Sequence, residues 1–512
     1  MEDDMSDNIS ITEAGSARPL HRLLSLILSA ALVAAFVSSC GESAENPVGD
    51  ADTAAVVQDA ETEAAETSMV DARKAVPDDL PEKDYGGKEF RVSTKQGTLY
   101  EFYTEELDGE LINDALYARN LTVEERFNVK IKPVITEAGD GNTQVNNVLK
   151  TVQAGDDAFD LAATYVFTSG QLVTKGIYVN LLDQPAIDFS KPWWINGIND
   201  CFRVGDKLFV AVGDTSLTTI RLTYAIMFNK RLAENYSLPD LYQRVRDNQW
   251  TIDDMIGMVS GVYSDLNGDG VQGSEDEYGF VAEAATNLDV YPFAFDIPIV
   301  GRDDDNIPIL VYNTPKTIAA VEKINQLYWN TGGSYITVSD AGLAVNMFKT
   351  GQALFDTTWI GNCYAGYREM DDDYGILPYP KWDESQEKYM TGAMDNYSVL
   401  GIPKTETDVE FASIITEVLN AEAYKQLYPV YYEDALQNKY ARDAGTIEML
   451  DIIMQGRNFD MSTLFSAQIG LYTFFRELVA SKKTDFASAY AKKESKAQKG
   501  LDSIIASYQE NE

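Results

Sequence analysis

Strand-like and helix-like segments alternate along most of the chain, and this alternation restricts the fold more than any other feature. Apolar and polar residues alternate over Glu89–Thr94 and again over Val129–Ile135, as in β-strands. Between these segments, apolar residues share one helical face of Leu111–Leu121. A second helical pattern, Val145–Ala154, precedes a buried-type strand at Phe159–Thr164. The order predicts an α/β lobe that binds ligands at the carboxyl ends of its strands.

The same kind of pattern recurs after Trp193-Trp194 with different elements. Strand-like segments occur at Lys207–Val212 and Thr223–Phe228, and helical patterns follow at Ile252–Val262 and Thr317–Asn330. The last part of the chain is mainly helical. We therefore expect a second α/β lobe followed by C-terminal helices.

An apolar run near the N-terminus ends in a cysteine. Leu23–Val37 follows two arginines, Arg18 and Arg22, and small residues lead into Cys40. The run is about 15 residues long, which suits a signal peptide and is short of the roughly 20 that span a membrane. This pattern predicts a lipoprotein signal, residues 1–40, with cleavage before a lipid-modified Cys40. It places the protein at the cell membrane, anchored by lipid on the extracytoplasmic face. An uncleaved signal anchor and a buried apolar helix are the alternatives.

The residues after Cys40 are acidic and poor in apolar side chains. The segment 41–84 consists largely of Ala, Glu, Asp, Thr and Val without a sustained amphipathic period. Such a sequence buries too little surface to offset the entropy of the chain. We predict a disordered acidic tether that holds the folded part away from the membrane.

Charge and histidine content exclude several function classes. The formal net charge is -40, which repels nucleic acid and anionic lipid head groups and favours a neutral or cationic small molecule as ligand. The single histidine, His21, lies in the predicted signal. Without histidine, the mature protein has no Ser-His-Asp or Cys-His catalysis and no histidine-ligated metal site. Cys201 and Cys363 either form a disulfide or remain two separate buried thiols; the sequence does not decide between them.

One loop has the spacing of a calcium site. In residues 265–276, oxygen-bearing side chains occupy positions 1, 3, 5 and 12, and a glycine occupies position 6. Hard oxygen ligands at this spacing wrap a calcium ion, with a backbone carbonyl as the seventh-position ligand. The predicted ligands of this structural Ca²⁺ are Asp265, Asn267, Asp269, the Val271 carbonyl and Asp276. The aspartate at position 12 reaches less far than a glutamate, and an acidic turn without metal is the alternative.

Several stretches, in a fixed order, resemble the extracellular solute-binding proteins of ABC importers, in particular the sugar-binding group that includes maltose-binding protein. They are Gly109–Ala115, Val123–Phe127, Phe159–Leu161, Met227–Lys230, Trp250–Asp254, Phe348–Ala353 and Tyr374–Pro380. The resemblance implies a periplasmic-binding-protein-like α/β fold: two α/β lobes with a hinge and an interlobe cleft that closes on the ligand. We assign 85–205 to lobe 1, 206–372 to lobe 2 with the loop 265–276, 373–428 to a return into lobe 1, and 429–512 to C-terminal helices, mainly of lobe 2.

Candidate ligand-binding residues combine flat aromatic faces with carboxylates, as sugar recognition requires. The resemblance places a stacking aromatic at Trp359. Tyr165 and Tyr224 lie at a strand end and near a predicted crossing, and Asp214 and Asp395 lie in polar loops beside crossings. Trp194 is a further candidate. For the aromatics the alternative is core packing, and for the aspartates it is a solvated loop.

These features predict a monomeric, lipid-anchored solute-binding protein. It would capture a sugar or oligosaccharide by cleft closure, pass it to the permease subunits of an ABC importer, and catalyse no reaction, so it would need no catalytic cofactor. A secreted carbohydrate-active enzyme with a carboxylate pair is the alternative, although no carboxylate pair here has a motif around it.

Overall fold

The computed structural model describes residues 72–137, 140–338, 340–362, 366–367, 369–432 and 443–510. Residues Val76–Glu512 form one compact unit. The predicted signal, Cys40, residues 41–71 of the predicted tether and Cys363 lie outside the described residues. The prediction of a disordered tether was wrong for its last residues, since Val76 and Leu80 pack against the core and Asp78 forms an ion pair with Arg126 at 2.6 Å. Among the described helices, none combines the length and the apolar character needed to cross a membrane.

The first lobe is built on a four-stranded sheet of order β12-β3-β1-β2. Its strands are β1 (Lys88–Lys95), β2 (Val129–Thr136), β3 (Leu161–Tyr165) and β12 (Ser398–Gly401). β1 runs parallel to β2 and to β3, whereas β12 runs antiparallel to β3. The helices of this part are α1 (Leu111–Phe127), α2 (Gly141–Gln153), α3 (Val166–Thr174) and α4 (Asn196–Phe202). The β-α-β-α-β order expected from the sequence is present.

Local sequence explains how these helices begin and end. Asp140 caps α2, since its carboxylate accepts a hydrogen bond from the Thr143 amide, and the buried side of α2 includes Val145 and Val148. α1 ends at Asn128, whose φ of 48° is left-handed, a conformation that asparagine tolerates. The chain then turns directly into β2.

The second lobe is built on a mixed sheet of order β11-β4-β10-β6-β5, with β9 paired to β6. Its strands are β4 (Tyr224–Asn229), β5 (Tyr263–Ser264), β6 (Glu277–Glu283), β9 (Ser334–Thr337), β10 (Ala353–Trp359) and β11 (Tyr374–Leu377), and a hairpin is formed by β7 (Val300–Arg302) and β8 (Pro308–Leu310). The helices are α5 (Thr218–Arg221), α6 (Lys230–Asn235), α7 (Leu241–Arg246), α8 (Ile252–Ser260), α9 (Val290–Ala294), α10 (Pro315–Asn325) and α11 (Ala341–Lys349). β6 runs parallel to β10 and β9, and β4 lies antiparallel between β10 and β11.

The C-terminal helices contact both lobes. They are α12 (Val409–Glu422), α13 (Ala444–Gln455), α14 (Met461–Leu464), α15 (Ser466–Ile469), α16 (Phe474–Ala480) and α17 (Phe486–Glu510). α12 packs on α1, and α14 and α15 pack on α3, all in the first lobe. α13 packs on β11 and α16 on α10, in the second lobe, while α17 contacts α3 and α10. These helices therefore join the two lobes.

Two lobe boundaries lie later in the chain than expected. The segment after residue 206 still belongs to the first lobe, since Ala211 forms a β-bridge with Leu400. The chain first enters the second sheet at β4. β11 pairs with β4 in the second sheet, so the return to the first lobe falls between Leu377 and Ser398 and does not begin at 373. Short strands such as β11 carry little local information about which sheet they join.

Candidate ligand site at the junction of the two sheets

A returning segment, residues 391–397, connects the two sheets. Near its start it lies beside the second sheet, where the Tyr224 amide donates to the Gly392 carbonyl at 3.0 Å. At its end it lies beside the first sheet, where the Val166 amide donates to the Tyr397 carbonyl at 3.1 Å. A side chain in the middle of this segment can therefore contact groups from both lobes.

Asp395 occupies that middle position. It is 6% exposed, and the Tyr165 hydroxyl, at the carboxyl end of β3, lies 3.4 Å from its Oδ1 and donates to it. Burial raises the pKa of Asp395 to about 6, although the positive charge of Arg476 opposes this shift. Burial, with the Asp395 charge adding to it, also raises the pKa of Tyr165 well above its usual value.

Lys95, the last residue of β1, lies next to Tyr165. Its Nζ donates to Asn396 Oδ1 at 3.1 Å and lies 5.1 Å from the centre of the Tyr165 ring. β1 and β3 are parallel neighbours, so their carboxyl ends, which carry Lys95 and Tyr165, meet at one edge of the sheet. Gly141 also contributes, because a Cβ at that position would overlap the Tyr165 ring.

The second lobe contributes an aromatic pair, Trp359 and Tyr224. Trp359 ends β10 and Tyr224 begins β4, and antiparallel pairing sets the two residues directly opposite each other. Their ring centres are 6.4 Å apart at an interplanar angle of 73°, an edge-to-face arrangement. Tyr224 is buried, whereas Trp359 is half-buried. Asp395 and Asp289 both act electrostatically on Tyr224.

Two charged residues that the sequence did not single out complete the cluster. Asp289, just before α9, is 4% exposed, and its Oδ2 lies 3.2 Å from Nη1 of Arg476 on α16. Despite this ion pair, neither oxygen of Asp289 accepts a hydrogen bond from any described residue. Burial raises the pKa of Asp289 well above the usual range, against the opposing effect of Arg476. Buried carboxylates are normally satisfied, so an unsatisfied one at the meeting point of two lobes indicates a place for a ligand.

The remaining two predicted ligand residues lie elsewhere. The indole nitrogens of Trp193 and Trp194 donate to the two oxygens of Glu417, at 2.8 Å and 3.0 Å, and both rings are buried. The amide of Asp214 donates to the Trp193 carbonyl at 2.9 Å, beside this pair. Trp359, Tyr165, Tyr224 and Asp395 are thus brought together, and Trp194 and Asp214 are not among them.

The loop 265–276 is folded around its own side chains. The Asp265 carboxylate accepts hydrogen bonds from the amides of Gly268 at 2.7 Å and Gly270 at 2.9 Å. Asp269 Oδ1 accepts from the Val271 amide at 2.7 Å, and buried Asp276 accepts from the Leu266 amide at 3.2 Å. The carboxylates expected to bind calcium therefore lie on one compact loop. In this structure they accept hydrogen bonds from backbone amides of the same loop.

Outside the loop 265–276, three acidic residues form a tight cluster. Among the described residues, Asp157, Asp160 and Glu406 are the ones whose ligand-type oxygens lie within 4.8 Å of one another. Arg91 neutralises part of this cluster, since its guanidinium lies 2.6 Å from Asp157 Oδ1 and 2.5 Å from Asp160 Oδ1.

The thiol of Cys201 donates to the Phe459 carbonyl at 3.3 Å. Its candidate disulfide partner, Cys363, is outside the described residues.

Solved structures share the fold. The chain is similar to a cyclic alpha-maltosyl-1,6-maltose binding protein from Arthrobacter globiformis, with 11% identity, a TM-score of 0.53, and coverage of 83% of this chain and 100% of that one. It is similar to an ABC substrate-binding protein from Listeria monocytogenes in complex with cycloalternan, with 13% identity, a TM-score of 0.51, and coverage of 83% and 99%. A cyclo/maltodextrin-binding protein complexed with maltotetraose matches with 12% identity, a TM-score of 0.51, and coverage of 83% and 97%.

These matches define a class by its fold. The two-sheet architecture with a connecting segment is the periplasmic-binding-protein-like fold of these solved structures. No protein-family model and no curated protein matches the sequence. The structural neighbours named above are binding proteins.

Proposed function

We propose that this protein is a solute-binding protein that captures a sugar or oligosaccharide at the junction of its lobes and delivers it to an ABC importer. The observation that carries the proposal is the cluster itself: Trp359, Tyr165, Asp395, Asp289 and Arg476 come from both lobes and from the segment between them. Accessible aromatic surface packs on the C-H faces of sugars, and carboxylates and guanidinium groups bond their hydroxyls. The saccharide complexes of proteins with this fold support this assignment.

The proposal includes the mode of action. Ligand contacts to both lobes stabilise the closed arrangement, and release follows when the permease favours the open one. Cys40 carries a lipid that keeps the protein at the outer face of the membrane, near its permease. The protein catalyses no reaction on its ligand.

A thermal-shift screen over mono- and oligosaccharides tests the proposal. A ligand that binds only the folded state raises the melting temperature by mass action. For a saccharide that does so, Trp359→Ala should abolish the shift. Trp382→Ala is the matched control, because Trp382 is also half-buried in the second lobe but packs on Phe295 away from the cluster, with ring centres 5.4 Å apart. Equal loss of the shift in both variants, or no shift with any saccharide, would contradict the proposal.

A further inference from the structure

The unsatisfied carboxylate of Asp289 restricts the chemistry of the ligand. The residue is 4% exposed, so bulk water does not solvate it, and no described donor makes a hydrogen bond to either of its oxygens. Among the described residues, its close ionic partner is the guanidinium of Arg476, at 3.2 Å. A buried charge without full hydrogen bonding is costly, and a ligand group that supplies both charge and donors removes that cost.

Carboxyl groups are in the majority around Asp289. Arg476 interacts electrostatically with Asp289, with Asp395 and with Glu283, the last residue of β6. One guanidinium thus acts on three carboxyl groups, of which Asp289 is in ion-pair contact with it. Lys95, another cation near Tyr165, donates to Asn396. Carboxyl groups therefore outnumber the cations of the cluster before any ligand enters, and burial raises the pKa of each of the three, which favours their protonated form.

The whole molecule reinforces this local excess. A net charge of -40 gives the protein a field that attracts cations and repels anions. A positively charged solute would be attracted toward the protein and would then meet a buried carboxyl group without hydrogen-bond donors at the junction of the lobes. A neutral sugar can hydrogen-bond Asp289, but it brings no charge that stabilises the ionised form of this group.

We propose that the ligand is an amino sugar, or an oligosaccharide containing one, whose protonated amine lies against Asp289. This inference rests on the proposed function and specifies its substrate class. The ammonium donates up to three hydrogen bonds, which suits two unpaired carboxylate oxygens. The hydroxyls and C-H face of the sugar then contact Tyr165 and Trp359.

Isothermal titration calorimetry with matched sugars tests the inference on the full protein. The probes are glucosamine, glucose and N-acetylglucosamine, each as the monosaccharide and as the β-1,4-linked tetramer. Within each set the compounds differ only at the C2 substituent. At pH 7 and low salt, the glucosamine compounds should bind at least tenfold more tightly than both neutral counterparts.

Asp289→Asn provides the second part of the test. The amide cannot balance an ammonium charge, so the preference for glucosamine over glucose should fall to less than threefold. Asp296→Asn is the control, because Asp296 is an exposed acid of the same lobe a few residues further along the chain, and this variant should keep the full preference. Circular dichroism and thermal melting establish that both variants are folded.

The outcomes separate the two proposals. If glucose or N-acetylglucosamine compounds bind as tightly as glucosamine compounds, the amino-sugar inference is wrong and sugar capture stands. If glucosamine compounds are preferred but Asp289→Asn keeps that preference, the assignment to Asp289 is wrong. If no member of these sets binds, the inference is wrong; the broader thermal-shift screen then decides on sugar capture independently.

Discussion

At the scale of single residues, the buried carboxylate of Glu417 stabilises the packing of two tryptophan side chains through hydrogen bonds. Its two oxygens accept from the indoles of Trp193 and Trp194, and the carboxylate itself is buried. Replacing it with alanine leaves two buried N–H donors unpaired and opens a cavity, so Glu417→Ala should lower the free energy of unfolding by about 3 kcal/mol. Glu410→Ala, an exposed position on the same helix, should change it by less than about 0.5 kcal/mol. Urea titration followed by tryptophan fluorescence measures both; similar losses would show that the contact between Glu417 and the two indoles contributes little.

Glu406 makes stability depend on pH. Its Oε2 is buried without a hydrogen bond, and the charges of Asp160 and Asp157 lie close by. Burial, then the contact with Asp160, raises the pKa of Glu406 from 4.5 to about 7. Between these values the folded protein binds more protons than the unfolded chain, so the free energy of unfolding falls as pH rises from about 4.5 to about 7.

Glu406→Gln should remove this part of the pH dependence. Above pH 7 the variant should be more stable than the wild type by about 1 to 3 kcal/mol, and near pH 4 the difference should be small. Thermal unfolding at several pH values between 4 and 8 measures it, with Glu410→Gln as an exposed control that follows the wild type. Parallel curves for Glu406→Gln and wild type would contradict the assignment.

The sequence located part of the candidate site but not its most unusual group. Trp359 was expected from the resemblance, Tyr165 from its place at a strand end and Tyr224 from its place near a predicted crossing. Antiparallel pairing then sets Trp359 directly opposite Tyr224. Asp289 and Arg476 were missed because neither has a local signal: one precedes a short helix, and the other lies in a helical stretch far along the chain. Their pairing depends on tertiary packing of α16, which no spacing pattern encodes.

At the scale of elements, the start of α2 controls the position of Tyr165. A Cβ on Gly141 would overlap the Tyr165 ring, so Gly141→Ala should displace that ring from Asp395 and weaken saccharide binding by about tenfold or more. Gly257→Ala is the matched control, since nothing lies within 4 Å of the position that a Cβ would take at this residue of α8; it should leave binding unchanged and stabilise the helix by up to about 1 kcal/mol. Calorimetric titration with a saccharide found in the screen measures both, and unchanged affinity in Gly141→Ala would contradict this role.

The calcium loop is a separate element-scale proposal. We propose that Ca²⁺ binds Asp265, Asn267, Asp269, the Val271 carbonyl and Asp276 and braces the turn between β5 and β6. Calcium should then raise the melting temperature, EDTA should reverse the rise, and ligand affinity should not change. Asp265→Ala should abolish the calcium response, and Asp303→Ala, in the acidic turn of the β7-β8 hairpin, should retain it. A melting temperature insensitive to calcium would leave the loop as a turn held by its own amides.

For the sheets, the order of the elements could be predicted from the sequence, but the sheet to which a short strand belongs could not. The β-α-β-α-β order of the first lobe was predictable because most of its strands and helices are long. The position of β11 was not, because its register against β4 depends on pairing with a distant strand that tolerates many partners. The lobe boundary near 373 was therefore placed too early, although the number of lobes was right.

At the scale of the whole molecule, hydrophobic clusters extend across both lobes. Buried residues of the first sheet such as Val92, of the second sheet such as Ile226, and of α17 such as Leu501 belong to the same contiguous cluster. The C-terminal helices add contacts to both lobes, and the returning segment is hydrogen-bonded to both sheets. Neither lobe therefore has a core that is closed without the other.

This shared core predicts cooperative unfolding. Differential scanning calorimetry of the full protein should show one main transition whose calorimetric and van't Hoff enthalpies agree, in spite of the two-lobed fold. A bound saccharide should move that transition as a whole, because it contacts both lobes and binds the folded state alone. The matched variants Trp359→Ala and Trp382→Ala should both keep a single transition while differing in their response to the sugar. Two resolved transitions, with the sugar shifting one of them, would instead show that the lobes unfold independently and that one lobe holds the ligand without the other.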